Sequence, residues 1–244
     1  MNAENIRQAL ADNAIPFGED LPEKLHIYLE LLKDWNSRMD LTAVTEDGET
    51  VDKHFIDSLT VMKTGLIVPG QHASLIDVGT GAGFPGMVLA MACPELRVTL
   101  LDAQQKRLTF LEEVARRTGA GNVSIVHTRA EDGARKSELR EKFDYAAARA
   151  LAPLNVLLEY LLPYVKPDGR ALCWKGPALK DEMDEGRKAA HLLGGHMEMP
   201  VRCPVRGRDW EHTILPVRKV QHTAKIYPRK AGTPKNKPLG AQNR

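Results

Sequence analysis

The chain is poor in cysteine, with three in 244 residues. Cys93, Cys173 and Cys203 are far apart and odd in number, which suits neither a disulfide framework nor a zinc cluster. Long apolar runs are also lacking, since none approaches the ~20 residues that a membrane span needs. The first residues carry Glu4 and Asp12 among their apolar positions, unlike a secretory leader. These absences predict a cytoplasmic protein with reduced core thiols, no bound metal and no membrane partner, and we expect a monomer.

Acidic residues are absent from the end of the chain. Between His212 and Arg244 there is no Asp or Glu, whereas eight residues are Lys or Arg. The net charge of the whole chain is only +2, so the rest of the chain is mildly acidic. A basic end on an acidic body favours a polyanionic partner, nucleic acid first, but it equally fits a solvated, disordered tail. Residues 223–244 are therefore predicted to form a basic extended tail, with Arg229 and Lys230 as candidate nucleic-acid contacts.

Residues 1–68 are predicted to form a small helical region. Apolar residues recur there at helical spacing, as Leu25, Leu29 and Leu32 illustrate. Asp20, just before this stretch, is the predicted N-cap of its helix.

From residue 69 the pattern changes to short apolar strands that alternate with helical segments. Strands are predicted at 75–78, 98–101, 123–126, 143–146 and 171–174, and helices at 85–92, 104–118, 153–165 and 178–193. Such alternation indicates a parallel sheet with helices on both faces, because crossovers are right-handed. Two later strand-like stretches, near 196–202 and 213–220, have no helix between them and predict an antiparallel hairpin. The fold predicted for residues 69–222 is a doubly wound, Rossmann-like α/β sheet with this terminal hairpin.

A glycine-rich loop follows the first predicted strand and precedes a helix. Its acidic and glycine positions include Asp77, Gly79, Gly81 and Gly83. Glycines at this place let a ligand approach the backbone closely. Asp102 ends the second strand, where a carboxylate can accept hydrogen bonds from both hydroxyls of a ribose. The loop alone also fits a dinucleotide fingerprint, so a dinucleotide-dependent oxidoreductase stays open at this point.

Two features favour S-adenosylmethionine over NAD as the cofactor. Asp77 lies two places before the first glycine, and the predicted sheet ends in an antiparallel hairpin; both features resemble class I methyltransferases. An NAD enzyme would also need a substrate domain after the sheet, where only the short tail remains.

Charged residues follow the third and fourth predicted strands. Ala130 and Glu131 follow the third, where adenine contacts commonly lie in this fold. Asp144 and Arg149 follow the fourth, beside the expected methyl position, although Glu131 and Asp144 also fit ionic surface positions. No Asn-Pro-Pro-aromatic sequence is present there, which speaks against methylation of an exocyclic base amine, and the absence of a cysteine excludes covalent C5-pyrimidine chemistry.

These motifs, in this order, resemble the glucose-inhibited division protein B family, that is, ribosomal RNA small subunit methyltransferase G. The resemblance is carried by residues 35–43, 54–59, 77–86, 102–111, 129–131, 148–153, 166–169, 174–176 and 227–234. Asp40 stands where the family usually has Asn, and Asp168 stands where Gly is usual. Neither departure touches the expected donor pocket.

The resemblance implies methylation of guanine N7 in the decoding-region loop of 16S ribosomal RNA, with that RNA or the small ribosomal subunit as partner. Carried over by position, the contacts to S-adenosylmethionine would be Gly79, Phe84, Ala130, Glu131 and Arg149, to which the residue patterns add Gly81, Gly83 and Asp102. Arg149 is the candidate catalytic residue. His54, Asp57 and Ser58 are candidates for the rim of the acceptor site, although His54 equally fits a surface or capping histidine.

Guanine N7 carries no proton, so its methylation needs no general base. This agrees with the fourth predicted strand, where no His, Asp or Glu follows Asp144 as far as residue 150. Catalysis is then expected to come mainly from alignment of the reacting atoms. A non-catalytic RNA-binding assembly factor that retains a donor-shaped pocket remains an alternative.

Overall fold

The computed structural model describes residues 1–210 and 212–241. Its N-terminal part is helical: α1 spans Ala3–Asp12, α2 Leu21–Met39 and α3 Asp47–Thr50, followed by a π-helical turn at Val51–Ile56, α4 at Asp57–Leu59 and a 3-10 turn at Thr60–Thr64. Leu25, Leu29 and Leu32 are buried on one face of α2, as their spacing predicts. Asp20 precedes α2, but its side chain makes no capping hydrogen bond and pairs with Lys24 at 2.6 Å instead. Asp20 therefore occupies the predicted N-cap position, but without a capping hydrogen bond from its side chain.

The remainder of the chain forms an eight-stranded sheet flanked by helices. The strands are β1 Ala73–Val78, β2 Leu96–Asp102, β3 Val123–His127, β4 Phe143–Arg149, β5 Val165–Lys175, β6 Gly195–Met197, β7 Val201–Arg202 and β8 Thr213–Lys219. The helices are α5 Gly86–Ala92, α6 Gln105–Thr118, α7 Ala130–Gly133, α8 Leu154–Leu161, α9 Leu179–Leu192 and α10 Thr233–Asn236. The predicted α/β fold is confirmed.

The strand order β3-β2-β1-β4-β5-β8-β6 creates a ligand-binding crevice. β1 to β5 are parallel, so their carboxyl ends lie at one end of the sheet. The order of winding reverses between β1 and β4, and open α/β sheets bind ligands outside the strand ends at such a switch point. β8 runs antiparallel to both β5 and β6, which confirms the predicted hairpin.

Apolar side chains cover both faces of the sheet. One face shares a core with α5, α6 and the N-terminal helices, and this core includes Tyr28, Phe55 and Phe110. The other face packs against α8 and α9 through residues such as Leu158 and Ala190. The N-terminal helices therefore stabilise the same core as the sheet. None of the helices in the described residues has the length and apolar character that a membrane crossing requires.

The basic C-terminal segment differs from the predicted extended tail. Residues 223–239 fold back against the helices on one face of the sheet. The guanidinium of Arg140 donates to the backbone oxygens of Thr223 and Tyr227 at 2.7 and 2.8 Å. Sequence patterns did not reveal this packing because these partners are 83 and 87 residues apart in the chain. Residues 242–244, the last part of the predicted tail, lie outside the described residues.

Candidate active site

A buried aspartate holds the glycine loop between β1 and α5. Asp77 is fully buried, and its Oδ2 accepts hydrogen bonds from Thr80 Oγ1 at 2.6 Å and from the Gly86 N–H at 2.9 Å. Burial raises the pKa of Asp77 to about 6. Its Oδ1 has no hydrogen-bond partner among the described residues. These two hydrogen bonds to Asp77 therefore hold the beginning and the end of the loop together.

Asp102, at the carboxyl end of β2, ties the same loop to the neighbouring strand. Its Oδ2 accepts from the Gly81 N–H at 2.9 Å, and its Oδ1 accepts from the Gln104 N–H at 2.8 Å. Gly79 and Gly81 have φ values of 69° and 59°, a left-handed conformation that glycine adopts without strain. Each carboxylate oxygen retains a lone pair that can accept from a ribose hydroxyl.

A cavity of about 330 Å³ opens beside Asp102, and we call it the donor cavity. Its walls bring together four of the predicted donor contacts, Gly79, Asp102, Ala130 and Glu131, with Leu151, Gly232 and Lys235 among the other lining residues. Cavities of this size accept small-molecule ligands. A close backbone approach at a glycine, a carboxylate at a strand end and apolar side chains suit an adenosine group. The residues present therefore fit S-adenosylmethionine.

The other predicted donor contacts lie outside the walls of this cavity. Gly81 supports the carboxylate of Asp102. A Cβ on Gly83 would lie 2.7 Å from a methyl carbon of Leu111, so Gly83 allows close packing beneath the loop. Phe84 is 7% exposed and its ring stacks on that of Tyr28 at 5.6 Å. These positions shape the loop, and direct contact between them and the donor stays a prediction.

Arg149, the last residue of β4, lines a second cavity of about 300 Å³, which we call the acceptor cavity. Its guanidinium donates to the backbone oxygen of Lys53 at 2.7 Å and to Asp57 Oδ2 at 2.8 Å. It also lies 3.0 Å from Nδ1 of His54 and 5.2 Å from the ring centre of Phe84. Three elements therefore position this side chain.

His54 is a neutral histidine inside the site. Its Nδ1 accepts from Arg149, and its Nε2 lies 2.8 Å from Thr42 Oγ1, so hydrogen bonding assigns the ring proton to Nε2. The ring stacks on Phe84 with centroids 4.6 Å apart and planes 12° apart. Burial, with the nearby charge of Arg149, lowers the pKa of His54 to about 3. Both ring nitrogens are engaged, which leaves His54 no free lone pair for proton abstraction.

Asp57 supplies a buried negative charge to the acceptor cavity. The side chain is 0% exposed; its Oδ1 lies 2.6 Å from His212 Nδ1, and Arg149 holds its Oδ2. Trp174 Nε1 donates to the backbone oxygen of Asp57 at 3.3 Å. Burial opposes ionisation, but the hydrogen bond from His212 and the charge of Arg149 outweigh it and hold the pKa of Asp57 below its ordinary value.

Two predicted site residues take other positions. Ser58 is fully buried and donates to the backbone oxygen of His54 at 2.5 Å, so its side chain does not reach the rim. Asp144 lies at the start of β4, far from its carboxyl end, and accepts from Ser74 Oγ at 2.7 Å. Its predicted place beside the methyl group is wrong.

Arg229, a predicted nucleic-acid contact, is partly buried and paired with a carboxylate. Its Nη2 donates to Glu159 Oε2 at 2.6 Å, and Glu159 is 0% exposed. Its guanidinium is therefore engaged by a buried carboxylate. Lys230 is exposed, and its contact with RNA stays a prediction.

Among the lining residues that the sequence patterns did not assign to the site, four bear on its chemistry. They are Trp174 and His212 in the acceptor cavity, and Gly232 and Lys235 in the donor cavity. Trp174 had a signal in the 174–176 segment of the family resemblance, whereas His212 had none. Across residues 1–210 and 212–241, no group of three His, Cys, Asp or Glu side chains is placed to hold a metal ion.

Solved structures share this fold at low sequence identity. A TehB-like SAM-dependent methyltransferase from Corynebacterium glutamicum has a TM-score of 0.50 and 12% identity, with 79% of this chain and 98% of that chain covered. TYW2 of M. jannaschii, in complex with AdoMet, has a TM-score of 0.50 and 14% identity, with 66% of this chain and 74% of that chain covered. These similarities concern the fold alone.

Curated proteins are similar over nearly the whole chain. Ribosomal RNA small subunit methyltransferase G of Clostridium perfringens strain 13 is 43% identical over 234 residues, which cover 96% of this chain and 97% of that protein. The protein of the same name from Lactobacillus helveticus is 42% identical over 239 residues, covering 98% and 100%. The family model for rRNA small subunit methyltransferase G matches residues 21–208, which contain the glycine loop and Arg149 and end before the C-terminal segment. This chain therefore belongs to the rRNA small subunit methyltransferase G family.

Proposed function

We propose that this protein transfers the methyl group of S-adenosylmethionine to N7 of a guanine in the decoding-region loop of 16S ribosomal RNA. Membership of the family supports the class of reaction and of substrate. The choice of guanine N7 comes from the family resemblance, and an acceptor atom that carries no proton agrees with the chemistry of the acceptor cavity. Either the free RNA or the small subunit could present this guanine, and the experiment below compares both.

The observation that carries the proposal is that consecutive residues at the end of β4 line the two cavities. Arg149 and Ala150 line the acceptor cavity, and the next residue, Leu151, lines the donor cavity. A methyl group at this junction would face a base in the acceptor cavity. Such an arrangement supplies the proximity and orientation that a transfer between two bound molecules requires.

The donor side of the proposal uses the residues that line the donor cavity. Asp102 would accept from the ribose, the backbone at Gly79 would approach the donor closely, and Ala130 with Glu131 would border the adenine. S-adenosylmethionine, when bound, supplies a methyl group on a positively charged sulfur that leaves as a neutral thioether.

The acceptor side suits a nucleophile without a proton. The N7 lone pair lies in the plane of the base, so a bond to carbon forms without loss of a proton, and no general base is needed. The guanine ring gains a positive charge in this step. Asp57 in the cavity wall is ionised, but its charge is paired with that of Arg149, so no net counter-charge is assigned to the guanine.

Carboxylate and histidine groups do lie beside Arg149, although the fourth strand contains none near its end. They are His54 and Asp57 of the N-terminal helical region, which were predicted for the rim of this site, and His212, directly before β8, which was not. His54 has both nitrogens engaged, and Arg149 neutralises Asp57. These groups therefore position neighbouring side chains, and proton removal is not assigned to them.

The test is to map the methyl group. The protein is incubated with labelled S-adenosylmethionine in two parallel reactions. One contains deproteinised 16S RNA and the other contains small subunits. Borohydride followed by aniline should then break the RNA at one guanine, because N7-methylguanine is labile to this treatment. A methyl group located by mass spectrometry on an exocyclic nitrogen, a ring carbon or a ribose hydroxyl would refute the assignment to N7.

The same experiment separates the competing functions. A non-catalytic assembly factor would bind RNA and S-adenosylhomocysteine without any turnover of labelled donor. A dinucleotide-dependent oxidoreductase, the other function that the glycine loop allows, is not the activity of the family to which the chain belongs.

A further inference from the structure

The C-terminal segment that follows β8 reaches the donor cavity, although the family model ends at residue 208. Gly232 and Lys235 line this cavity together with Gly79 and Asp102. The segment therefore adds a wall to a site whose other residues come from the strand ends of the sheet.

A buried carboxylate fixes the start of this wall. Glu159, on α8, is 0% exposed and accepts from the backbone N–H of Arg229 at 2.7 Å. It also accepts from Arg229 Nε at 2.9 Å and from Nη2 at 2.6 Å. Three N–H groups of Arg229 thus compensate the buried charge of Glu159. This contact fixes the position from which the chain continues after Arg229.

The wall also contacts a predicted donor residue directly. The N–H of Gly232 donates to Glu131 Oε1 at 2.9 Å, and Glu131 is only 6% exposed. This hydrogen bond orients the carboxylate that follows β3. Three residues later, Lys235 brings an exposed ammonium group to the same cavity, in which Asp102 and Glu131 are acidic.

We propose that residues 229–235 form the outer wall of the donor pocket and set its affinity for the donor, with Gly232 orienting Glu131 and Lys235 contacting the bound molecule. This inference rests on the proposed function, because it takes the donor cavity as the S-adenosylmethionine site. Glu159 and Arg229 act as positioning residues for the wall. The segment is then part of the binding machinery of the enzyme, and not simply a basic arm for RNA.

The test measures the affinity for S-adenosylhomocysteine by calorimetry in the full-length protein. Lys235→Gln should raise the dissociation constant threefold or more without a change in melting temperature. Lys235→Arg should have a dissociation constant within about twofold of the wild-type value. Lys237→Gln is the matched control, because Lys237 is exposed on the same segment and does not line the cavity. Equal dissociation constants for wild type and Lys235→Gln would overturn the role of Lys235.

A second measurement on the unmodified chain keeps the wall itself testable. Hydrogen exchange followed by mass spectrometry should show slower exchange of the amides of residues 229–235 when S-adenosylhomocysteine is added. Unchanged exchange in these residues, with clear protection of the glycine loop, would overturn the wall and leave the donor cavity intact. If the wild-type protein did not bind S-adenosylhomocysteine at all, the donor assignment would fail and the inference with it.

Discussion

Arg149 and Asp57 are 92 residues apart in the chain, and their side chains meet at 2.8 Å in the wall of the acceptor cavity. The pair joins the end of β4 to the N-terminal helices. Asp57 is 0% exposed, and only 15% of the Arg149 side chain is exposed. Neither charge can be removed without leaving the other poorly compensated in a buried place. The N-terminal region is therefore part of the site.

Replacing Arg149 by Lys should impair turnover more than donor binding. A single ammonium group cannot contact the backbone of Lys53, His54 and Asp57 in the geometry of a guanidinium. We expect turnover on saturating RNA to fall about tenfold or more, which corresponds to about 1.4 kcal/mol in the activation free energy. Affinity for S-adenosylhomocysteine should change less than about threefold, because Arg149 lies outside the walls of the donor cavity. Equal losses in both quantities would instead make Arg149 a donor contact. Arg116→Lys, on the exposed surface of α6, is the control.

Asp102→Ala should weaken the donor complex. The ribose would lose a charged acceptor, and the N–H groups of Gly81 and Gln104 would lose their partner. A charged hydrogen bond contributes about 1.5–3 kcal/mol, so calorimetry should show a roughly tenfold to hundredfold loss of affinity for S-adenosylhomocysteine. Asp132→Ala, at a nearby exposed carboxylate, should leave the affinity unchanged. Wild-type affinity in Asp102→Ala would place the donor elsewhere.

Gly81→Val should be at least as damaging as loss of the Asp102 carboxylate. The φ of Gly81 is 59°, and a β-branched residue is strained in this conformation. The loop would then shift away from Asp102, which accepts from the N–H of this residue. Calorimetry with S-adenosylhomocysteine should show little or no binding, and circular dichroism should show that the sheet is retained. Undiminished affinity in a folded variant would contradict the role of the loop.

His54 should make the protein less stable in acid. Its pKa is about 3 in the folded chain and about 6.5 when unfolded, so the unfolded state takes up a proton first as the pH falls. The stability that it contributes is fully present above pH 6.5 and decreases by about 1.4 kcal/mol per pH unit below it. The free-energy cost of His54→Gln, measured by urea unfolding, should therefore shrink by about 2 kcal/mol between pH 7.5 and pH 5. A cost that stays constant with pH would contradict a neutral, buried His54.

Exposed lysines of the C-terminal segment should account for part of the RNA affinity. Lys225, Lys230 and Lys237 are exposed and are not among the residues that line the donor cavity. Replacing all three by Gln should reduce the slope of log affinity for 16S RNA against log salt concentration by about 2. The affinity for S-adenosylhomocysteine should stay within about twofold. An unchanged salt slope would mean that these lysines are solvated in the complex as well.

Local patterns predicted most of the fold, because alternating apolar strands and helices are visible within short windows of sequence. The prediction for Asp144 failed because this residue is the second of β4, whereas the carboxyl end of the strand, at Arg149, is the end that reaches the site. The contacts of His212 with Asp57 and of Gly232 with Glu131 join residues 155 and 101 positions apart. Such pairs leave no periodic signal, so the two cavities could be anticipated only in part.

The direction of β8 also decides when the donor cavity is completed during protein synthesis. β8 ends at Lys219, whose Nζ donates to the backbone oxygen of Val165, at the end of the sheet opposite the cavity. The chain must then return along the sheet before Gly232 reaches Glu131. A growing chain that has emerged only as far as β8 can pair its strands, but it lacks one side of the cavity. The donor site is therefore completed only after residues 229–235 have followed β8 out of the ribosome.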